Sequence, residues 1–551
     1  RYEGEYPFDQ YDYGSENPAM IDAGLYVFGW SDVSTVTSVD QTVIITGNQL
    51  MQAVDSHEGI SVYNVVQNNM GETINTLSCD ISDNSVWFWG YDDGSTYYGE
   101  AVEVRSDTYM VNGMMRSDIS VIVEDNEIFG MVPDEDYFDV GGIDIGIDSG
   151  SGNEEVLDAE LVSYVSVMGN LIEYMYDPVD LDLDYWTYNT IGTWTIDSTA
   201  HLDNNLMNNV TLGVRVSVES DVEFGDNYWP YYDQVAIMEQ TYNSVLTVDN
   251  NIINSVGGSA ADERSIISVE MEYDATVDPS TLFTEALVWV DGSVSISGNT
   301  IVQTNGNLGL VGLWNEYGTE KTGAMEVNVD VAIDNNDMST VISPDHMIMP
   351  SPFGIQAGEV IDLDGNMDIP TDEPSFVITS TWSITGNQLI GQYFSGMVLF
   401  LETEIESPDW YLVDDRVVDI SGNTIDFAIE GGLGVLLSQD IIGAGHYELN
   451  LDVNVEDNVL NMPYLEGGLL SPSPSQSIGM FVGPYEDHPT GIAESVTGAE
   501  IVDVLISGNT ISGAYMGMVV GEMPMMDRAL QTEVDAFIES LNMVVDNNYL
   551  I

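Results

Sequence analysis

The chain has 551 residues, with 93 Asp and Glu against 8 Lys and Arg, a formal net charge of −85. With no basic stripe to meet phosphates or anionic lipid, this balance argues against nucleic-acid partners and against attachment through a basic helix. Disorder is excluded by the 44% hydrophobic and 10% aromatic content, which can offset ordering entropy, and no uncharged apolar run is long enough to span a membrane.

In chain order, residues 1–34 come first as an aromatic arm with Tyr2, Tyr6, Phe8, Tyr11 and Tyr13 and no repeat. The opening Arg1-Tyr2-Glu3-Gly4 reads as a processed start. From residue 35 to 551 one pattern recurs. Ile296-Ser297-Gly298-Asn299-Thr300-Ile301 returns unchanged at 420–425 and 506–511, and Ile45-Thr46-Gly47-Asn48-Gln49-Leu50 returns at 384–389. The looser form places an Asn at Asn48, Asn84, Asn126, Asn170, Asn205, Asn251, Asn299, Asn336, Asn387, Asn423, Asn458, Asn509 and Asn548. The intervals run from 35 to 51 residues, with a mean near 42. Periods of this length mark stacked repeat architectures.

Each repeat has two further parts. Before the Asn, apolar residues alternate at period two, as in Val331/Ile333, Val418/Ile420 and Val504/Ile506. This is the pattern of a strand with one face buried. After the Asn comes a short apolar piece and commonly a Gly with another alternating run, such as Gly59-Ile60-Ser61-Val62 and Gly479-Met480-Phe481-Val482. An acidic stretch of variable length completes the repeat, with longer excursions at 337–354 and 461–478, both containing Pro.

Strand, Asn turn, strand, Gly turn, strand, repeated in register, resembles the right-handed parallel β-helix of the pectate-lyase-like families. The resemblance covers roughly residues 35–551 and implies an all-β solenoid of about thirteen coils with acidic excursions. Asn and Gly suit its sharp bends because they enter the left-handed region cheaply. An Asn at one bend of every coil can pair its amide with copies above and below, forming a ladder. One coil per repeat at about 4.8 Å predicts a rod roughly 60 Å long; the alternative is two coils per repeat. One late helix is predicted over Asp527 to Leu541, where Leu530, Val534, Phe537, Ile538 and Leu541 recur at helical spacing. The chain stops shortly after its thirteenth Asn, so the expectation is an uncapped end able to recruit another copy.

Such folds often cleave polysaccharides, which calls for Arg with Ca²⁺-holding carboxylates, or paired acids with His and Lys motifs. Here the cations are scattered, with Arg416 or Arg215 the ones a groove of carboxylates would need, and the paired acids Asp92-Asp93-Gly94 and Asp414-Asp415 stand without the other motifs. Among 93 acids such pairs are expected by chance. His57, His201, His346, His446 and His488 stand in no HExxH or nucleophile-elbow context. The sequence therefore reads as a non-enzyme.

Cation binding has one partial motif. Asp362, Asp364, Asn366 and Asp368 offer oxygens at alternate positions and Glu373 falls twelfth, as in an EF-hand loop, although Gly365 stands fourth and Pro370 ninth. Divalent cations such as Ca²⁺ are the expected cofactor. Asp180/Asp182/Asp184 and Asp134/Glu135/Asp136/Asp139 read as solvated faces. The single Cys79 excludes an internal disulfide and leaves two readings, a buried thiol or a bond to another copy.

Few protease sites, an open-ended solenoid and no catalytic signature make the chain similar to archaeal surface β-helix proteins and to the major sheath proteins of filamentous methanogens. That resemblance implies an extracellular, self-assembling sheath, tube or envelope subunit whose partners are copies of itself. The alternatives are a monomeric surface protein binding glycans through aromatics such as Trp87, Trp89, Trp229 and Trp314, and a polysaccharide lyase or hydrolase.

Overall fold

The computed structural model describes residues 21–29, 35–53, 58–88, 91–92, 97–130, 138–151, 156–224, 237–256, 265–277, 285–304, 308–320, 324–340, 351–364, 376–462, 478–484, 493–514, 516–520 and 536–550. They form a right-handed parallel β-helix of thirteen coils. Each coil contributes one strand to each of three parallel sheets. The return sheet carries the Gly-led runs, from Ile21–Gly29 to Met516–Val520. The chain then enters the pre-Asn sheet, from Thr35–Thr46 to Ala536–Asp546. It turns sharply at the Asn into the short post-Asn sheet, from Gln49–Ala53 to Tyr549–Leu550.

One repeat is thus one coil, because each pre-Asn strand pairs with the pre-Asn strand of the next repeat and not with a strand inside its own. Asp249↔Ser297↔Asp334↔Thr385 is one such column. The only antiparallel pairing among the described residues joins Tyr91–Asp92 to the start of the next return strand.

The core follows from parity. In the pre-Asn strands the residues three, five and seven before the Asn point inward, giving columns such as Val167, Leu202, Val248, Ile296, Ile333 and Ile384, all fully buried. In the post-Asn strands a single column, including Val86, Ile128, Ile172, Met207, Ile253, Ile301 and Met338, closes the third side. Burying such side chains supplies roughly 1.5–3 kcal/mol each and outweighs the weak local preference of any one strand.

Insertions between the described strands fall at two of the three corners, before or after the return sheet. The Asn corner never lengthens: strand ends and strand starts there are two residues apart in every coil. The return sheet includes Ile21–Gly29, paired in register with Glu58–Asn68, so the solenoid reaches into the stretch expected to be a non-repeating arm. Tyr2, Tyr6, Phe8, Tyr11 and Tyr13 lie outside the described residues.

The late helix needs correction. Residues 536–541 belong to the strand Ala536–Asp546, which pairs with Ala493–Ser507 and places Leu541 beside Val502 and Met543 beside Val504. The run Phe537 to Val545 satisfies helical and strand spacing alike, and the parallel edge of the previous coil decides for strand by completing its ladder. Residues 527–535 of the expected helix lie outside the described residues.

Candidate functional site

The Asn corner is built from two adjacent positions with separate tasks. The residue before each ladder Asn has a φ between 53° and 70° in all thirteen coils: six Gly, four Asn and three Asp. The ladder Asn itself is not left-handed. The sharp bend expected of Asn therefore belongs to its predecessor, and only residue types that tolerate positive φ stand there.

That bend aims the following side chain into the interior edge. Asn299 shows the pattern. Its Oδ1 accepts the backbone N–H of Asn251 at 2.9 Å and the Asn251 Nδ2–H at 3.1 Å. Its own Nδ2 donates to the Val248 carbonyl at 2.6 Å and to Asn336 Oδ1 at 3.0 Å. The same oxygen-to-amide step joins every neighbouring pair from Asn48 to Asn548. Asn84 to Asn509 are almost completely buried, so each satisfied amide avoids a substantial desolvation penalty. The ladder has one sense: each rung donates toward the next.

At the start of the return sheet many coils carry a Gly, among them Gly59, Gly142, Gly213, Gly354, Gly396, Gly432, Gly479 and Gly517. A Cβ on Gly213 would fall 1.5 Å from the Ile266 carbonyl oxygen, and one on Gly479 2.5 Å from that of Gly517. At these two glycines the neighbouring carbonyl leaves no room for a Cβ, although Ala101, Pro178, Ile266 and Leu310 stand at the equivalent place in other coils.

The outer side of the return sheet is a grid of carboxylates. Asp107, Asp148, Asp184, Glu219, Glu272 and Glu316 follow one another in register over six coils, at the strand spacing of about 4.8 Å. Asp221 and Asp274 continue the next column, and Asp362 pairs with Glu404 further along it. Arg105 lies in this grid with Nη2 2.8 Å from Asp144, and Arg215 reaches Glu219 at 3.3 Å and Glu270 at 3.7 Å. Burial, reinforced by Asp148, Asp182, Glu219 and Asp221, pushes the Asp184 carboxyl up to about 7. Burial with Asp274 and Glu316 holds Glu272 at about 7, and burial with Glu316, Asp221 and Asp362 holds Asp274 at about 6. The Asp180/Asp182/Asp184 face is therefore half-buried, not fully solvated.

Inside the solenoid lies a charged group that the sequence reading placed in a candidate cleft. Arg416 is 3% exposed, Asp414 1% and Glu359 0%. Arg416 Nε lies 2.7 Å from Asp414 Oδ1 and 3.4 Å from Glu359 Oε1, and its Nη2 donates to Thr403 Oγ1 at 2.7 Å. Ser380 and Trp382 donate to the two Glu359 oxygens at 3.2 and 3.1 Å. Burial pushes the Glu359 carboxyl up, while Arg416 and these donors pull it back. The trio faces the packed core and is inaccessible to a polymer. Arg215 sits instead on the outer grid, so the two cations do not line one groove.

Of the expected EF-hand ligands, Asp362 and Asp364 lie in the extended strand Ser351–Asp364, opposite Glu404 and Glu406 of the next coil; Asn366, Asp368 and Glu373 lie outside the described residues. Among the described residues no three His, Cys, Asp or Glu side chains converge on a metal geometry. Asp134, Glu135 and Asp136 also lie outside them, as do His57, His346, His488, Trp89 and Trp229. His201 bonds Thr247 at 2.7 Å and His446 meets Glu448 at 2.9 Å.

Cys79 is 2% exposed on the inward side of its strand, and burial with Asp80 pushes its thiol up to about 12. A bond to another copy needs a surface thiol, so the position fits the buried-thiol reading. Trp87 is 42% exposed and packs on Phe129 of the next coil at 4.8 Å, whereas Trp314 covers Gly358. The left-handed column and the inward parity of Arg416 were missed at the sequence level. The first is visible as Gly, Asn or Asp before every ladder Asn; the second as Arg416 lying seven residues before Asn423.

No family model, no curated protein and no solved structure matches this chain. Among the described residues, no helix is long and apolar enough to cross a membrane.

Proposed function

We propose that the chain is a structural subunit that assembles with copies of itself into an extracellular sheath, tube or envelope layer, of the kind made by the sheath proteins of filamentous methanogens. The observation that carries this reading is the unbroken, single-sense Asn ladder running beside three in-register parallel sheets. Every step has the same donors and acceptors, so a further copy placed on the axis can extend the ladder with geometry already present inside the molecule. A heterologous contact of that kind propagates instead of closing.

The carboxylate grid supports an extracellular, salt-bathed setting. It demands counter-charge wherever subunits meet, and divalent cations such as Ca²⁺ supply it most economically. The reading is tested by electron microscopy and denaturing gels of the purified chain, with and without Ca²⁺. Ordered tubes or filaments and a detergent-resistant species far above the 60.3 kDa chain mass support it.

A second reading, a monomeric glycan-binding surface protein, draws on the exposed Trp87, which packs on the half-buried Phe129. It expects a stable monomer whose binding to a glycan array falls on Trp87→Ala. No catalytic role is proposed.

A further inference from the structure

Inside the solenoid, polar residues of the return sheet meet hydroxyls of the pre-Asn sheet. One inward column of the return sheet carries Tyr185, Ser220, Tyr273 and Tyr317 in register over coils five to eight. It faces the pre-Asn column that lies seven residues before each ladder Asn. On coils four to nine that column reads Ser163, Ser198, Ser244, Gly292, Val329 and Ser380. Each of the first two tyrosines finds a serine of its own coil or of the coil before. Tyr185 lies 2.5 Å from Ser163 Oγ and accepts from Ser198 Oγ at 3.0 Å, and Tyr273 pairs with Ser244.

Tyr317 breaks this pattern. Its ring stacks on that of Tyr273 at an interplanar angle of 4° and a centroid separation of 6.0 Å. Its hydroxyl is therefore carried one coil along, from the level of Ser244 to that of Gly292. Gly292 and Val329, the residues of the preceding coil and of its own, offer no hydroxyl. Tyr317 is fully buried, and its hydroxyl has no partner among the described residues. Two residues earlier on the same strand Asn315 is also fully buried, and neither its Oδ1 nor its Nδ2 has a partner among them. Glu359, next to Asn315 in register, already receives Ser380, Trp382 and Arg416. At Gly292 a Cβ would meet Val329 at 3.2 Å and Met271 at 3.5 Å, so its absence leaves space for one small group. Gln240 also holds an unpartnered amide, but on a column with no hydroxyl pattern to say what should meet it.

We propose that the interior beside Gly292 is a structural water site, in which an ordered water stands in for the absent serine hydroxyl and bonds the Tyr317 hydroxyl and the Asn315 amide. The chemistry of the three atoms selects water. Asn315 Nδ2 needs an acceptor, its Oδ1 needs a donor, and the Tyr317 hydroxyl serves as either; a metal cation supplies no acceptor. Left dry, these buried groups carry their full desolvation penalty. The site stands apart from the self-assembly reading and holds whether or not copies associate.

The sign of a substitution separates a wet site from a dry one. The test uses the full chain, the variants Tyr317→Phe and Asn315→Leu, and Tyr273→Phe as the reference for a tyrosine with a protein partner. A crystal or cryo-electron microscopy map that resolves ordered water reads the site directly. The proposal expects a density peak within hydrogen-bond distance of the Tyr317 hydroxyl and the Asn315 amide. It expects Tyr317→Phe to raise the unfolding constant in urea roughly three- to tenfold, as Tyr273→Phe does, because both remove a satisfied hydroxyl. Gly292→Ser should displace the peak and exceed Gly292→Ala in stability, since both add a Cβ and only Ser restores the hydroxyl. An empty map, with Tyr317→Phe and Asn315→Leu neutral or stabilising, overturns the proposal, because a dry unpartnered group is better removed. A peak that disappears when sodium is exchanged for a bulky organic cation marks a metal ion and overturns it as well. A Tyr317 hydroxyl seated on a protein group does the same.

Discussion

Asn336 Oδ1 receives two hydrogen bonds from Asn299, one from the side-chain Nδ2 and one from the backbone N–H, each at 3.0 Å. One residue thus fixes both the position of the next coil and the orientation of its own amide, which explains why no other residue type replaces it in thirteen coils.

Removing a central rung should be costly. Asn299→Ala strands the Asn251 donors and the Val248 carbonyl in a buried edge, and the expected loss is about 3–5 kcal/mol. Asn48, half-exposed at the first described rung, has no such donors stacked on its Oδ1 among the described residues, and Asn48→Ala should cost about 1 kcal/mol. Urea unfolding of the two variants checks the ratio; equal costs would refute a cooperative ladder.

The bend residue makes a separate demand. Gly422 has a φ of 65°, and a Cβ there meets nothing closer than 4.0 Å. Gly422→Ala should therefore destabilise by about 1–2 kcal/mol through backbone strain alone. Gly422→Asn should be nearly neutral, because Asn occupies the equivalent place at 204, 250, 335 and 547. Thermal melts of both variants decide the point.

Arg416 is the shared counter-ion of two buried acids on adjacent coils. Arg416→Met leaves Glu359 and Asp414 without a countercharge, and the expected cost is about 3–5 kcal/mol. Replacing all three by apolar residues of similar volume should restore most of that loss. Denaturant unfolding of the single and triple variants measures the difference, and a triple variant worse than the single one would contradict the account.

The return-sheet grid gives an unusual pH dependence. Burial and neighbouring carboxylates hold Asp184 and Glu272 at about 7, above the ordinary carboxylate range. Between the unfolded and folded values the folded chain binds more protons, so stability falls as pH rises through this window. The midpoint of urea unfolding should accordingly increase from pH 8 to pH 5 and level off near pH 4. Asp184→Asn should stabilise the protein at pH 8 by about 1 kcal/mol, after allowing for solvent screening of a half-exposed group, and flatten the profile.

The coil count, the three-sheet winding and every ladder residue were legible because one physical constraint recurs: a buried amide at a bend that cannot lengthen. The Gly of the return sheet was legible for a related reason, seen at Gly213 and Gly479, where carbonyl oxygens leave no room. The strand at 536–546 was not, since Phe537, Ile538 and Leu541 fit two periods and only pairing with the previous coil separates them. The charged trio was hidden for the opposite reason. Asp414 and Arg416 look like surface residues by type, and only their inward parity relative to Asn423, together with Glu359 of the neighbouring coil, reveals the buried group.

Cryo-electron microscopy of the purified chain, concentrated with Ca²⁺, tests the central claim most directly. The account expects ordered filaments, tubes or sheets in which solenoids join so that the Asn ladder and the strand spacing of about 4.8 Å continue from one subunit to the next. Separate solenoids under every condition, or contacts that leave the ladder interrupted at each junction, would contradict it.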